Sequence, residues 1–326
     1  MIRLAFSLLG ALSLITGPMV GPVDEEKDRT VMPKGKLVVF SLRDQSSHQS
    51  SYLVKSGKTL LLKERSRAPV FSPNGRLISA AGANEIYLFD DNGRLKKTIP
   101  TENGPRYLEW APDSTKLLYS IEPKDGRRVV LEYDFSEKSN KVFLDIKEDM
   151  KIMTFTYSPD GKQILFDTVS EDDNPKEGLY LCDADGRGIR LLKSHALSIR
   201  WFPDGRYVAY YTDRDEEGRP MIGRFGGIYK MNVETGESSK LQDLLTAPPD
   251  ALRMSRDGQY FYMAKSCASG GQNIVAWPIG DPNVEIPLTE CVDTAEGGAS
   301  IDQYADWYQS ETLDGTADLS LTEWIG

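Results

Sequence analysis

Phe71-Ser72-Pro73-Asn74-Gly75-Arg76 and Tyr157-Ser158-Pro159-Asp160-Gly161-Lys162 are two copies of one phrase, which returns as Trp110-Ala111-Pro112-Asp113-Ser114-Thr115 and Trp201-Phe202-Pro203-Asp204-Gly205-Arg206. Weaker copies stand at Val31-Met32-Pro33-Lys34-Gly35-Lys36 and Met254-Ser255-Arg256-Asp257-Gly258-Gln259. Proline presets φ for the first corner of a type I turn, Asp or Asn bonds back to its own backbone, and Gly accepts the positive φ that closes a hairpin with a bulge. The phrase is therefore a strand reversal. Its glycine-equivalent positions 35, 75, 114, 161, 205 and 258 are spaced by 40, 39, 47, 44 and 53 residues, the length of one four-stranded unit.

The runs between the turns fill in that unit. Leu37-Val38-Val39-Phe40, Ile164-Leu165-Phe166 and Tyr207-Val208-Ala209-Tyr210 follow the phrase and read as strands buried on both faces. A third run, such as Ile86-Tyr87-Leu88-Phe89 or Leu179-Tyr180-Leu181, leads into a second turn, seen as Asp90-Asp91-Asn92-Gly93 and Asp183-Ala184-Asp185-Gly186. A fourth run, such as Thr59-Leu60-Leu61-Leu62 or Ile189-Arg190-Leu191-Leu192, completes the repeat. Four antiparallel strands in each of six repeats predict an all-β fold, a six-bladed β-propeller spanning residues 29–308.

Composition agrees. The chain has 326 residues, 40% hydrophobic and 27% charged, enough apolar material for a large core. Its 28 glycines and 18 prolines suit short strands and tight turns better than long helices. The net charge is −10, and Ser266 to Gly326 holds 11 acids and no Lys or Arg, so the body is nearly neutral and residues 309–326 read as an acidic tail. No basic stripe with interleaved aromatics supports nucleic-acid binding.

Met1-Ile2-Arg3 followed by the apolar run Leu4 to Ile15 and the breaker Gly17-Pro18 reads as a signal peptide or N-terminal anchor over residues 1–23. The run is too short to span a bilayer, and the expected location is periplasmic or secreted. Such a compartment suits a bridge between Cys267 and Cys291, which in the chain-entropy model contributes about 3.5 kcal/mol. Cys182, inside a strand, reads as a small buried apolar residue.

The S-P-D-G-K/R phrase with its preceding aromatic, followed by an I-Y-x-x-D-x-D-G strand and turn, resembles the WD-like repeat of the TolB family of bacterial translocation propellers. The resemblance covers roughly Arg29 to Glu290 and implies a protein-docking module of the cell envelope. Members of that family carry an α/β domain before the propeller, whereas here the first repeat begins soon after the apolar run. Gln303-Tyr304-Ala305-Asp306-Trp307 echoes Arg106-Tyr107-Leu108-Glu109-Trp110, while Asp24 to Thr30 makes a poor strand. The C-terminal segment Gln303 to Tyr308 is thus expected to supply the inner strand of the first blade, because an open ring would leave unpaired edges.

Chemistry is thinly represented. Neither a G-x-S-x-G nucleophile elbow nor a hydrolase domain is present. The two histidines, His48 and His195, lie far apart in the repeat register, so no metal site and no cofactor are expected. Asp183-Ala184-Asp185-Gly186 opens like a calcium loop but lacks the remaining ligands, and reads as a turn. The acidic loops Glu171-Asp172-Asp173-Asn174 and Asp213-Arg214-Asp215-Glu216-Glu217 read as exposed connections. Residues just before each turn phrase, Arg67, Arg106, Tyr107, Lys151, His195 and Asp250, are expected to ring the axial opening. Mixed charge with one aromatic suits a peptide terminus or polar loop. The expected function is a non-catalytic, monomeric scaffold binding a protein or peptide in the envelope. The alternative is a glycan-active lyase or hydrolase, or a carbohydrate-binding propeller, on the same frame.

Overall fold

The computed structural model describes residues 37–43, 48–55, 58–124, 126–146, 150–170, 176–215, 219, 221, 226–243, 253–266, 272–291 and 300–308. The chain divides into Met1–Val31 and Met32–Gly326, and every described residue lies in the second unit. The segments read as a signal (1–23) and an acidic tail (309–326) fall outside the described residues, as do Asp250, Cys267 and the loop Glu171-Asp172-Asp173-Asn174.

Regular structure among the described residues is strand throughout. In chain order β1 (Leu37–Arg43), β2 (Gln49–Lys55) and β3 (Lys58–Lys63) open the first blade. The second is β4 (Arg67–Phe71), β5 (Leu77–Ala81), β6 (Glu85–Asp90) and β7 (Leu95–Pro100). The third is β8 (Leu108–Trp110), β9 (Lys116–Ile121), β10 (Val129–Asp134) and β11 (Ser139–Asp145). The fourth is β12 (Met150–Tyr157), β13 (Gln163–Ser170), β14 (Gly178–Asp183) and β15 (Arg190–Ser194). The fifth is β16 (Leu197–Trp201), β17 (Tyr207–Thr212), β18 (Gly227–Asn232) and β19 (Ser238–Asp243). The sixth is β20 (Arg253–Met254), β21 (Tyr260–Ser266), β22 (Gln272–Pro278) and β23 (Ile286–Pro287). Finally β24 (Ser300–Tyr308) returns to the first blade and lies beside β1, giving the order β24-β1-β2-β3.

The turn phrase works as its residues dictate. Gly75, Ser114, Gly161, Gly205 and Gly258 all have φ between 64° and 71°. In the fourth blade Gly161 N donates to Ser158 O at 2.9 Å and Ser158 N to Gln163 O at 2.8 Å. Asp160 Oδ1 meanwhile accepts from Ser158 Oγ at 2.7 Å and Lys162 N at 3.1 Å. The Ser158 hydroxyl and the backbone amide of Lys162 hold the Asp160 carboxyl below its usual range. The same bonds recur around Asn74 and Asp257. Successive turns also nest: a Cβ on Gly161 would stand 3.7 Å from Pro112, and one on Gly205 3.8 Å from Pro159. The proline that shapes one turn is thus the surface on which the next rests.

Burial falls from axis to rim. Second strands such as β5 are buried along their whole length, whereas fourth strands such as β3 and β7 are mostly exposed. Six apolar clusters lie one in each seam between neighbouring blades; that between the first and second holds Leu53, Leu62, Phe71, Ile78, Ala80 and Phe89. That between the sixth and first holds Phe40, Tyr262, Ile274, Ala276 and Leu288. The hydrophobic effect therefore acts between blades, and each needs both neighbours. Where the repeat varies, the seam changes with it. Trp110 Nε1 donates to Ser79 Oγ at 3.0 Å across the seam between the second and third blades. At the equivalent position two blades on stands Leu165, and Trp201 Nε1 finds no acceptor among the described residues.

Cys182 is a buried free thiol in the seam between the third and fourth blades, and burial pushes it up to about 12, which keeps it protonated and inert. Cys291 is disulfide-bonded; the partner read from the sequence, Cys267, lies outside the described residues. Titration of unfolded, unreduced protein is expected to find one reactive thiol, and three would refute the pairing.

Candidate functional site

The inner strands β4, β8, β12, β16, β20 and β24 place one residue each, immediately before the aromatic or Met of the phrase, at equivalent positions around the axis: Val70, Glu109, Thr156, Arg200, Arg253 and Asp306. Four of these six are charged, on strands whose other positions are largely apolar. Arg200, Arg253 and Asp306 are 9%, 6% and 8% exposed, and charges that deep persist only with partners. Thr156 Oγ1 donates to Glu109 Oε1 at 2.8 Å, joining the third and fourth blades. Asp306 Oδ2 accepts from Phe71 N at 2.8 Å and Oδ1 from Tyr262 OH at 3.1 Å, so one carboxylate in the first blade holds both neighbours.

Tyr107 completes the arrangement from an unexpected place. It stands two residues before Glu109, where β4 and β16 carry a bulge with positive φ at Ala68 (49°) and Ser198 (55°). Its ring packs edge-on against Phe155 at 4.9 Å. Arg200 Nη2 donates to its hydroxyl at 2.6 Å, and the guanidinium carbons of Arg200 and Arg253 lie 5.8 and 5.5 Å from its ring centre, within cation–π range. Side chains of the third, fifth and sixth blades therefore meet, and since the third and sixth are three blades apart in the ring, the axis is plugged at this level.

Electrostatics follow from this packing. Burial pushes the Tyr107 phenol above its ordinary value against the pull of Arg200 and Arg253, so it remains a neutral hydrogen-bonding group. Burial likewise raises the Glu109 carboxyl, opposed by Arg200 and by the Thr156 hydroxyl. Burial alone would lower Arg200, but Tyr107 and Glu109 outweigh it and keep the guanidinium charged. Asp167, 1% exposed, serves the same network from behind. It accepts from Thr154 N at 2.6 Å, Thr154 Oγ1 at 2.9 Å and Ser198 N at 2.6 Å, fixing the bulge that aims Arg200.

Of the six residues expected at the axial rim, Asp250 lies outside the described residues and the other five differ in their surroundings. Arg67, first residue of β4, donates through Nη2 to Pro105 O at 2.9 Å, beside Arg106. Arg106 is exposed and pairs with Glu122 at 2.7 Å, and Lys151 is partly exposed near the start of β12. Tyr107, 1% exposed, is buried against Arg200 and Arg253. His195 lies after β15 with φ 52° and its Nδ1 3.9 Å from Glu177 Oε1; it lines a cleft between the fourth and fifth blades. Glu109, Thr156, Arg200, Arg253 and Asp306 were not singled out from the sequence, although the repeat register marks them: polar residues at the one inner-strand position that precedes the aromatic or Met. No group of three or more His, Cys, Asp or Glu side chains among the described residues is placed to hold a metal.

No family model matches the chain. The Tol-Pal system protein TolB of Alcanivorax borkumensis is 29% identical over 153 residues, 35% of this chain and 34% of that protein, so the match spans about a third of the relative's length. The crystal structure of TolB from Acinetobacter baumannii superposes with a TM-score of 0.60 at 16% identity, covering 85% of this chain and 67% of that one. Oligogalacturonate lyase in complex with manganese gives 0.54 at 15% identity, covering 79% and 80%. An enzyme and TolB thus share the frame, and fold alone does not choose between their roles. The repeat phrase, the blade order and the sequence similarity together make this chain a six-bladed propeller whose repeats are similar to those of TolB.

Proposed function

We infer that the protein is a non-catalytic docking scaffold of the cell envelope, exported to the periplasm or beyond, which binds a protein or peptide at one face of the propeller. The observation that carries this reading is the plugged axis. With Tyr107, Arg200 and Arg253 in mutual contact, a partner meets a shallow, charged mouth and not a deep reaction chamber. Polar loops and chain termini suit such a mouth, where electrostatic complementarity sets specificity and encounter rate. Similarity to TolB, a protein of the Tol-Pal system, supports an envelope partner. The scaffold works as a monomer, since the blades close on one another and leave no long strand edge at the seam.

The test is recovery of envelope partners by cross-linking to the protein carrying Arg106→Glu together with Lys151→Glu. Both positions are solvent-accessible, so the melting temperature is expected to hold while the partner is lost. Full recovery of every partner by the double variant would contradict docking at this mouth.

A further inference from the structure

The seam between the fourth and fifth blades opens outward into a cavity of about 620 Å³, within the roughly 300–1,000 Å³ range of small-ligand sites. Blades splay with distance from the axis, so a wedge there is ordinary; its charge is not. The corresponding wedge between the second and third blades, about 670 Å³, is faced by apolar side chains and Tyr119, and the charged residues lining it are acids, Glu102 and Asp145. The wedge between the fourth and fifth blades also has tyrosine on its floor, half-buried Tyr229 stacked on buried Tyr210 with ring centres 5.6 Å apart. Its charge is reversed: among the described residues, Lys193, Arg214 and Lys240 line it against Asp215 alone, with His195 beside them. In a chain of 39 bases and 49 acids the cleft inverts the overall sign, and a cleft lined by one sign of charge concentrates ligands of the other.

The basic groups come from both walls. Lys193 lies on β15 of the fourth blade, Lys240 on β19 of the fifth, and Arg214 just past β17. Lys193 is exposed and makes no ion pair among the described residues. The lining carboxylate, Asp215, is taken up by Arg219, whose backbone N and Nε each donate to it at 2.8 Å. Lys240 bonds Asp243, Arg214 Nε is 3.6 Å from Asp213 Oδ1, and His195 Nδ1 is 3.9 Å from Glu177 Oε1, but these three carboxylates lie off the lining. An ammonium or guanidinium carries further N–H donors beyond one such contact. The wall that bears Lys193 is set by Gly178 (φ 145°), where a Cβ would stand 2.2 Å from Lys193 O. Hydroxyls of Ser194, Thr212, Ser238 and Ser239 complete the polar surface.

We propose that this cleft is a binding site for a short acidic oligosaccharide, one whose rings carry carboxylates. Cations on both walls suit a ligand with more than one negative charge, each met by a charge-assisted hydrogen bond. The side-chain hydroxyls both donate and accept, as the hydroxyls of a sugar ring require, and the C–H face of a pyranose packs by dispersion against a tyrosine ring. A neutral sugar would cover the cations without giving them a counter-charge, at a cost in desolvation. A bare inorganic anion would use neither the ring nor the hydroxyls. The site stands apart from the docking mouth and does not depend on it.

The experiment is calorimetric titration of the full chain with β-1,4-linked trimannuronate and triglucuronate and with their neutral counterparts mannotriose and cellotriose, each to about 10 mM, a range that detects millimolar affinity. At least one uronate is expected to bind, and its neutral counterpart at least about tenfold more weakly. Lys193→Glu reverses a charge on an exposed residue, so the melting temperature is expected to hold while uronate binding falls about tenfold or more. Lys240→Gln is expected to weaken binding several-fold. Lys96→Glu, the same reversal on an exposed residue of β7 in the second blade, is expected to leave it unchanged. Failure of both uronates to bind overturns the proposal, as does equal binding of the neutral sugars, or binding that both cleft variants leave unchanged. Tetraglutamate peptide or inorganic phosphate binding as tightly as the uronates overturns it equally, since charge alone would then suffice.

Discussion

A chain lacking residues 300–326 is expected to lose cooperative folding, whereas one ending at Tyr308 keeps the full-length melting temperature. The reason is the place of β24. It pairs antiparallel with β1 from Leu37↔Tyr308 to Arg43↔Ser300, with one irregularity between Phe40 and Leu42. Removing it strips the first blade of its inner strand and leaves β1 with an exposed edge. It also takes away Asp306, which ties the first blade to Phe71 and Tyr262 on either side. In a ring the loss does not stay local, because the seam clusters on both sides of the first blade depend on that blade's position. Against a typical stability of about 5–15 kcal/mol, loss of a nine-residue strand and its buried anchor leaves no margin. Thermal unfolding followed by circular dichroism separates the two truncations directly. Equal melting temperatures for both would mean that the sixth and first blades meet without the strand.

Asp306→Ala carries the second largest expected effect, about 3–5 kcal/mol, the usual consequence of removing one partner from a buried charged network. The substitution removes the carboxylate that accepts from the Phe71 amide and the Tyr262 hydroxyl, at about 1–3 kcal/mol each. Arg256 Nη2, 3.9 Å from Asp306 Oδ2, loses its nearby carboxylate as well. Asp306→Asn keeps an acceptor for Phe71 N, and the Tyr262 hydroxyl can turn to accept from the new amide, so less than half the loss is expected. Urea denaturation of the three proteins is the measurement. Similar midpoints for Ala and wild type would show that Asp306 bears no part of the closure.

The frame was legible because its determinants are local. A Pro-Asp-Gly turn needs only its own residues, and six copies at a steady period leave little choice of architecture. The closing strand was legible for the same reason: Gln303 to Trp307 copies the pattern of Arg106 to Trp110 in another blade. Only its first residues were missed, since β24 begins at Ser300, before the irregularity that resets its register with β1.

The site was less legible, and the failure is specific. Reading the residues just before each turn phrase as the rim puts Tyr107 there, but at the equivalent point the inner strands β4 and β16 bulge. The positive φ of Ala68 and Ser198 marks the break in alternation, and a two-residue period no longer says where a side chain points. Tyr107 also finds its partners 93 residues later in Arg200 and later still in Arg253, contacts made across the ring and absent from any local pattern. By contrast Glu109, Arg200, Arg253 and Asp306 sit at one repeat position, and aligning the inner strands by the aromatic or Met that follows gathers all four from their residue types alone.

Amide hydrogen exchange of β1 and β24 tests the closed ring most directly. If both ends of the chain build one blade, amides in 37–43 and 300–308 exchange together and only through global unfolding, with the same protection as β5 and β9. Rapid exchange across 300–308 while β5 and β9 stay protected would show a ring that stands without its last strand, and would contradict the account.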